Sequence, residues 1–550
     1  MNDVTLRDIH RRPVSLSDFA DKRAVVVAFI GTECPIANLA VPRLIALHEK
    51  YAEQGVQFLA INSNVQDEFI EVSAHAQERE IPFPVLKDFD HSTADAFGAT
   101  RTPEYFVLDA DRVIQYHGRL DDQYTIGFTR SKASRHDLAE AIEDVLADLP
   151  VEKPTTRVEG CKIGRATDPR VPHEVTYTKD VAPIIQKRCQ ECHREGEIAP
   201  MSLASYDDAR DWAETIHEVV LEQRMPPWHA DPRFSEFSND RSMTREETET
   251  LLAWVEQRTP EGDAGDLPPP ADFTDGWVIG QPDFVIDMGE DFDVPETGVV
   301  EYQKFLVDPG FTEDVWVRRA EARPSNRAVV HHIIVYIQTP GKPLYAQDGT
   351  TSMLTGWAPG DMPTVYPEGT ASRIPAGSKF IFEVHYTPNG VACKDRSQAG
   401  IVFAKEPPQY EVETNILANM DLNIPPGEPN HEDDFHYTFK GDAKILGFMP
   451  HMHLRGVSAN YEVTYPDGEQ ETLLSIPDWD FNWQSTYRFQ NPIDVPKGTK
   501  LKFTAIWDNS PNNPRNPDPT EEVHWGLQTW EEMQNGWLEV VWKDKPVAGE

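Results

Sequence analysis

Apolar positions follow three successive rhythms along the chain. The first opens with a continuous run, AVVVAFI at residues 24–30, then a helical stretch after Pro35 (NLAVPRLIALHEKYAEQG), then a second run, VQFLAINS. Strand-length apolar runs joined through a helix predict a parallel βαβ unit, because strands buried on both faces lose the alternation of half-exposed ones. DEFIEVSAHAQERE continues as a helix and PVLKD as a short strand; EYFVLDA and VIQYHG make a hairpin-like pair, and RHDLAEAIEDVLADL a closing helix. The order βαβαββα predicts an α/β domain over residues 1–150, followed by a linker over 151–176.

From Thr178 the period turns helical, in TKDVAPIIQKRC, in SYDDARDWAETIHEVVLEQ from Ser205, and in TREETETLLAWVEQ from Thr244. Ser205 with Asp208, and Thr244 with Glu247, have capping-box spacing, in which hydroxyl and carboxylate satisfy the exposed amides of a first turn. These stretches predict a small three-helix domain over 177–260, ended by the acidic, proline-rich linker 261–276. Beyond it come short alternating runs such as VVEYQKFLVD, AVVHHIIVYI, KFIFEVHYTP, YEVTYP and KLKFTAIWD, the pattern of antiparallel sheets with one buried face. NIPPGEPNHEDDF divides them, so two tandem β-sandwiches are expected, over 277–422 and 423–550.

With 550 residues, several packed units are expected. A formal charge of -41 with no basic stripe argues against nucleic acid and anionic bilayers as partners. No stretch approaches the roughly 18 consecutive apolar residues of a membrane span. MNDVTLRDIHRRP lacks the basic and apolar regions of a secretory leader.

Five cysteines are too few for a disulfide scaffold. Cys189, Cys192 and His193 form CQECH, the pattern of c-type haem attachment: two thiols make thioethers to the vinyl groups and the histidine ligates iron. Composition alone yields about 0.002 such motifs per chain, and a half-formed zinc site is the competing reading. Met225 in EQRMPPWHAD, beside prolines, resembles the sixth haem ligand of class I cytochromes c, with His229 and Met201 as competitors. The plain reading of Met225 is a core-filling side chain.

Cys34 follows the first apolar run, and Thr102-Pro103 precedes a later one. With the element order, these features resemble the thioredoxin and peroxiredoxin superfamily. The resemblance implies a reactive Cys34 at a helix start, where amides and dipole stabilise thiolate, near a cis proline at Pro103. CPIA lacks the second cysteine of C-x-x-C, and GTEC spaces its threonine differently from peroxiredoxins. Cys161, in EGCKIG, is a candidate disulfide partner at a separation the sequence leaves open.

The β region carries His331-His332, His385, His451-Met-His453 and then Met533. Singly each motif is weak, and a lone strand histidine reads as a hydrogen-bonded or solvent-facing ring. His451 and His453 fall on one face if both are in a strand, whereas the adjacent His331 and His332 share a metal only if a bulge redirects one. A thioether beside imidazoles favours Cu(I). The ordered set HH, VHY, HMHLRG and EEM, over about residues 280–545, resembles the copper type II, ascorbate-dependent monooxygenases. The resemblance implies one copper on His331, His332 and His385, a second, oxygen-binding copper on His451, His453 and Met533, and a wet gap between them. Departures are Cys393 as the sole cysteine of this region, Met449 where peptide-processing members place an arginine, and Trp537 for a tyrosine. A peptide substrate is therefore not carried over.

The expected fold class is thus multidomain: a thioredoxin-like α/β domain, an all-α cytochrome c domain and two antiparallel β-sandwiches. The expected function is a monooxygenase-like oxidoreductase with two copper ions and haem c. It would hydroxylate a small-molecule carbon-hydrogen bond with O2, with electrons from an external donor relayed through haem. The alternatives are an electron-transfer or copper-binding protein without hydroxylase activity, or a thiol peroxidase or redox sensor acting through Cys34. Covalent haem attachment places the chain in the periplasm or outside the cell.

Overall fold

A computed structural model describes residues 3–547 apart from 126–127, 130–131, 165–173, 196, 198, 200, 274–275, 297, 299, 343–351, 359–361 and 389–390. Parts of both expected linkers thus lie outside the described residues. The chain divides into two compact units, one of residues 1–174, 214–225 and 248–256, the other of residues 175–213, 226–247 and 257–550. The segment expected as one haem domain, 177–260, is shared between them.

The strands of the first unit include β1 (Thr5–Asp8), β2 (Pro13–Ser15), β3 (Ala24–Phe29), β4 (Val56–Asn62), β5 (Val85–Lys87), β6 (Arg101–Thr102), β7 (Glu104–Leu108) and β8 (Ile114–Gly118). The helices are α1 (Pro35–Tyr51), α2 (Phe69–Glu78), α3 (Ser92–Phe97) and α4 (Asp137–Leu146). Seven strands form one sheet in the order β2-β1-β5-β4-β3-β7-β8, with β3, β4 and β5 parallel and β7 antiparallel to β3. The unbroken apolar run is explained by the two cores it feeds. Ala24, Val26, Ala28 and Ile30 pack with Leu44, Val72 and Leu138 on one face; Val25, Val27 and Phe29 pack with Ala94, Phe97 and Leu16 on the other. Each valine, leucine, isoleucine or phenylalanine so buried contributes roughly 1.5–3 kcal/mol. The β1–β2 hairpin and α3 escape the sequence reading, because TLRD, PVS and STADAF are too short to show a period.

In the second unit Tyr177–Val181 is a π turn leading into the helix Ala182–Arg188. The long helix expected from Ser205 breaks at Trp212, giving Tyr206–Asp211 in this unit and Ala213–Leu221, whose residues 214–221 belong to the first. Both capping boxes are present: Asp208 N donates to Ser205 Oγ (3.1 Å), and Glu247 N to Thr244 Oγ1 (3.2 Å).

The β region is not parted at residues 422 and 423. Strand Asn535–Pro546 lies between Tyr410–Ala418 and Ala443–His451, antiparallel to both, in a sheet of thirteen described strands. A four-stranded sheet of 431–438, 500–507, 456–464 and 470–476 packs onto the later part of it. Two cores remain distinct. Ile334, Tyr336, Met353, Ile381, Met449 and Trp537 form a smaller cluster drawing on both halves. Met449 and Trp537 are thus buried packing residues.

Candidate functional site

Cys34 is the N-cap of α1, with Pro35 at the first helical position, where the amides of a first turn have no helical acceptor. Its thiol is buried and donates to the Thr102 carbonyl (2.9 Å). The Thr102-Pro103 peptide is cis. The two-residue strand Cys161–Lys162 pairs with β6 and sets Cys161 opposite Thr102. Burial by itself would raise the Cys34 thiol; hydrogen bonds from the amides of Ala37 and Cys161, then from the Cys161 side chain and Thr102, outweigh it and lower the pKa below 9.0. Cys161 moves the other way, first by desolvation and then through its neighbour Cys34. Cys34 and Cys161 are thus both brought to Thr102, one by its thiol and the other by strand pairing.

The histidines of the β region also converge. Strands Val330–Gln338 and Lys379–Tyr386 pair with His332 opposite His385, and the register slips between Val330 and His332, so a bulge falls at His331. That irregularity lets adjacent histidines turn toward one point. His331 Nδ1 and His332 Nδ1 stand 3.1 Å apart, and one ring nitrogen from each of His331, His332 and His385 lies within 4.8 Å of the others. Nitrogens bound tetrahedrally at about 2.0 Å from one ion stand about 3.3 Å apart. His332 Nε2 and His385 Nδ1 are buried with no hydrogen-bond partner among the described residues, so the site has free lone pairs to offer. Burial, then the neighbouring imidazoles, pushes His331 down to about 4, His385 to about 3 and His332 well below its usual range. All three are neutral near pH 7, the form that binds metal.

His451 ends its strand, and Met452 and His453 leave the ladder, so the two histidines do not share a strand face as the sequence predicts. The cause is Glu532, whose buried carboxylate accepts from the amides of His453 (2.8 Å) and Arg455 (2.7 Å) and from Trp507 Nε1 (3.2 Å). The rings still lie 5.1 Å apart. Each has its Nδ1 occupied. His451 Nδ1 donates to Gln484 Oε1, an amide oriented by its own bond to the Phe481 carbonyl (2.9 Å). His453 Nδ1 donates to the Glu531 carbonyl (3.2 Å), leaving a buried Nε2 without a partner among the described residues. Met533 is buried and its sulfur accepts from Asn535 Nδ2 (3.1 Å), while Asn535 is the cross-strand partner of His451. The donor set of two imidazoles and a thioether suits Cu(I).

No wet gap parts the two histidine sets. His332 and His451 have ring centroids 6.1 Å apart. Tyr302 sits 5.4, 4.5 and 6.2 Å from His332, His385 and His453, and Phe481 stacks on His331 at 4.9 Å. Gln484, Tyr302 and Phe481 carry no motif and were not singled out in the sequence, and Glu532 entered it only as part of EEM, with no role of its own; only the fold brings them to the histidines.

At CQECH the cysteines are half-buried, and desolvation first raises both thiols, Cys189 to about 12. His193 Nδ1 donates to the Met201 carbonyl (3.3 Å), which leaves Nε2 as the ligating nitrogen. Cys189, Cys192 and His193 do not gather as a metal-binding group among the described residues. They fit haem attachment by thiol spacing and imidazole tautomer. Met225 belongs to the first compact unit, CQECH to the second together with His229 and Met201.

The AhpC/TSA family matches residues 1–117. Curated relatives include the thiol-disulfide oxidoreductase ResA of Bacillus thuringiensis subsp. konkukian (strain 97-27), 30% identical over 114 residues, 20% of this chain and 64% of that protein. Chloroplastic peroxiredoxin Q of Sedum lineare is 29% identical over 118 residues, 20% of this chain and 62% of that protein. The chain therefore spans just under two thirds of these relatives. Among solved structures, a hypothetical protein from Sinorhizobium meliloti 1021 is 34% identical, with 30% of this chain and 92% of that one covered and a TM-score of 0.28. No described helix is long and apolar enough to cross a membrane.

Proposed function

Taking as premise that the N-terminal part of this chain is a thioredoxin-like redoxin domain of the AhpC/TSA type, we propose that the protein is an oxidoreductase whose thiol redox chemistry runs through Cys34. The observation that carries this reading is a buried thiol at a helix N-terminus, held by amides that favour thiolate, with a second cysteine paired to the same Thr102 that the thiol bonds. A thiolate so placed is the nucleophile that a peroxide or a disulfide requires. Incubating the full chain with hydrogen peroxide, and separately with oxidised glutathione, should consume the Cys34 thiol, read by alkylation and mass spectrometry. Cys34→Ser should abolish turnover of both; an inert Cys34 in the intact chain would sink the reading.

A second reading rests on the convergence of His331, His332 and His385. These would hold one copper, and His451, His453 and Met533 another, which when bound would supply one-electron chemistry with O2 for hydroxylating a small-molecule carbon-hydrogen bond. The chain's own residues keep the imidazoles neutral, fix the tautomers of His451 and His453, and exclude water through Tyr302 and Phe481. Haem c on Cys189, Cys192 and His193 would relay electrons from an external donor, in a periplasmic or exported location. Elemental analysis should give two copper ions per chain, and one in His385→Ala. Copper uptake unaffected by His385→Ala and by His451→Ala would reject this second site.

A further inference from the structure

The segment that brings Cys161 to Cys34 is built to stay there. Gly160 has φ +145°, and a Cβ at that position would meet the Thr102 carbonyl oxygen at 2.1 Å, so only glycine permits the approach. Arg101 Nη1 donates to the Gly160 carbonyl (2.6 Å), and Cys161 pairs with Thr102. Downstream, Ile163 N donates to the Thr100 carbonyl (3.0 Å), Gly164 N to Asn64 Oδ1 (3.0 Å) and Val65 N to the Gly164 carbonyl (2.8 Å). The Ile163 side chain is buried in the core that holds Phe29 and Phe97. Five consecutive residues are thus pinned from both sides, and the second cysteine missing from C-x-x-C arrives from 127 positions away in sequence.

Exposure then divides the labour. Cys34 is only 5% exposed, whereas Cys161 is exposed. We propose that Cys34 and Cys161 are the two halves of one redox-active disulfide, in which the exposed Cys161 sulfur is the atom that an external dithiol attacks and Cys34 is the leaving thiolate. This rests on the reading of Cys34 as a redox thiol. In the reductive direction one thiolate of the dithiol bonds to Cys161, the Cys34–Cys161 bond breaks, and its electron pair leaves on Cys34. The second thiol of the dithiol then displaces Cys161, so two electrons and two protons pass to the pair and the donor becomes a disulfide. The amides of Ala37 and Cys161 that face the Cys34 sulfur favour it as leaving group, since a stabilised thiolate departs faster.

The full chain should be oxidised with excess oxidised dithiothreitol, quenched in acid, alkylated and digested without reduction. The expected product is a peptide pair joined through Cys34 and Cys161. The oxidised chain should then be mixed with a thioredoxin variant lacking its second cysteine, which traps the first attack. An adduct on Cys161 with Cys34 free is expected; an adduct on Cys34 overturns the assigned direction. Cys34 consumed by oxidised glutathione or peroxide but never joined to Cys161 overturns the pair while leaving Cys34 a redox thiol. Cys34 inert to all oxidants overturns the underlying reading instead. In Cys161→Ser, whose exposed site tolerates the change, Cys34 should accumulate as a mixed disulfide with glutathione instead of closing the internal bond.

Discussion

A buried thiol ionises readily only where fixed donors replace the water it has lost, and around Cys34 those donors are backbone amides. Iodoacetamide labelling of Cys34 as a function of pH should therefore show a midpoint below 9.0, the ordinary value, and Cys161 one above it; equal midpoints would contradict the arrangement. The lowering of Cys34 is legible in part, since Ala37 belongs to CPIA at the helix start, whereas the Cys161 amide and the opposite shift of Cys161 are not, because they depend on the paired strand. The histidines show the same division. The metal-binding types could be found in sequence, but the groups that orient them lie 33 and 79 positions away, in Gln484 and Glu532. Replacing Gln484 by Leu frees the His451 ring to turn, and Cu(I) affinity at that pair should fall about 10- to 100-fold, measured by competition with a chelator.

Elements were legible where they were long and periodic. β3, α1 and β4 stand where the apolar runs put them, and the bulge at His331 is the irregularity that two adjacent histidines on one metal demand. The turn after His451 was not legible, since alternation in MPHMHL continues while the backbone has already left the ladder for Glu532. Glu532→Ala strips buried amides of their acceptor and should destabilise the second unit by about 3 kcal/mol in chemical denaturation. Helix Arg245–Glu256 begins on a second acidic anchor. Glu247, capped by Thr244 and paired with Lys187 and Arg188, sits at about 2, hydrogen bonds and these cations overcoming the burial that would raise it. A carboxyl lowered by folding stabilises fully above its unfolded value of 4.5 and loses that contribution as pH falls toward 2. Between those limits wild type should lose more stability than Glu247→Gln.

On the scale of the whole chain, composition and connectivity foresaw an α/β unit followed by helices and sheets, yet placed boundaries where loops are polar. Packing follows strand partners instead. The segment 423–435 looks like a linker, but it runs into strand His431–Thr438, and Tyr410–Ala418 before it and Ala443–His451 beyond it both pair with Asn535–Pro546. A fragment of residues 277–422 should consequently fail to give dispersed amide resonances, whereas 277–550 should give them; a well-folded shorter fragment would show that the seam is dispensable.

That seam has a bearing on biosynthesis. The strand that joins Tyr410–Ala418 to Ala443–His451 is the last of the described strands to leave the ribosome, although it occupies the middle of the sheet. Until it emerges, two neighbouring strands wait with unfilled edges, inviting association with other nascent chains. A pause in translation just ahead of this strand, or a stop codon there, would then leave both edges open together.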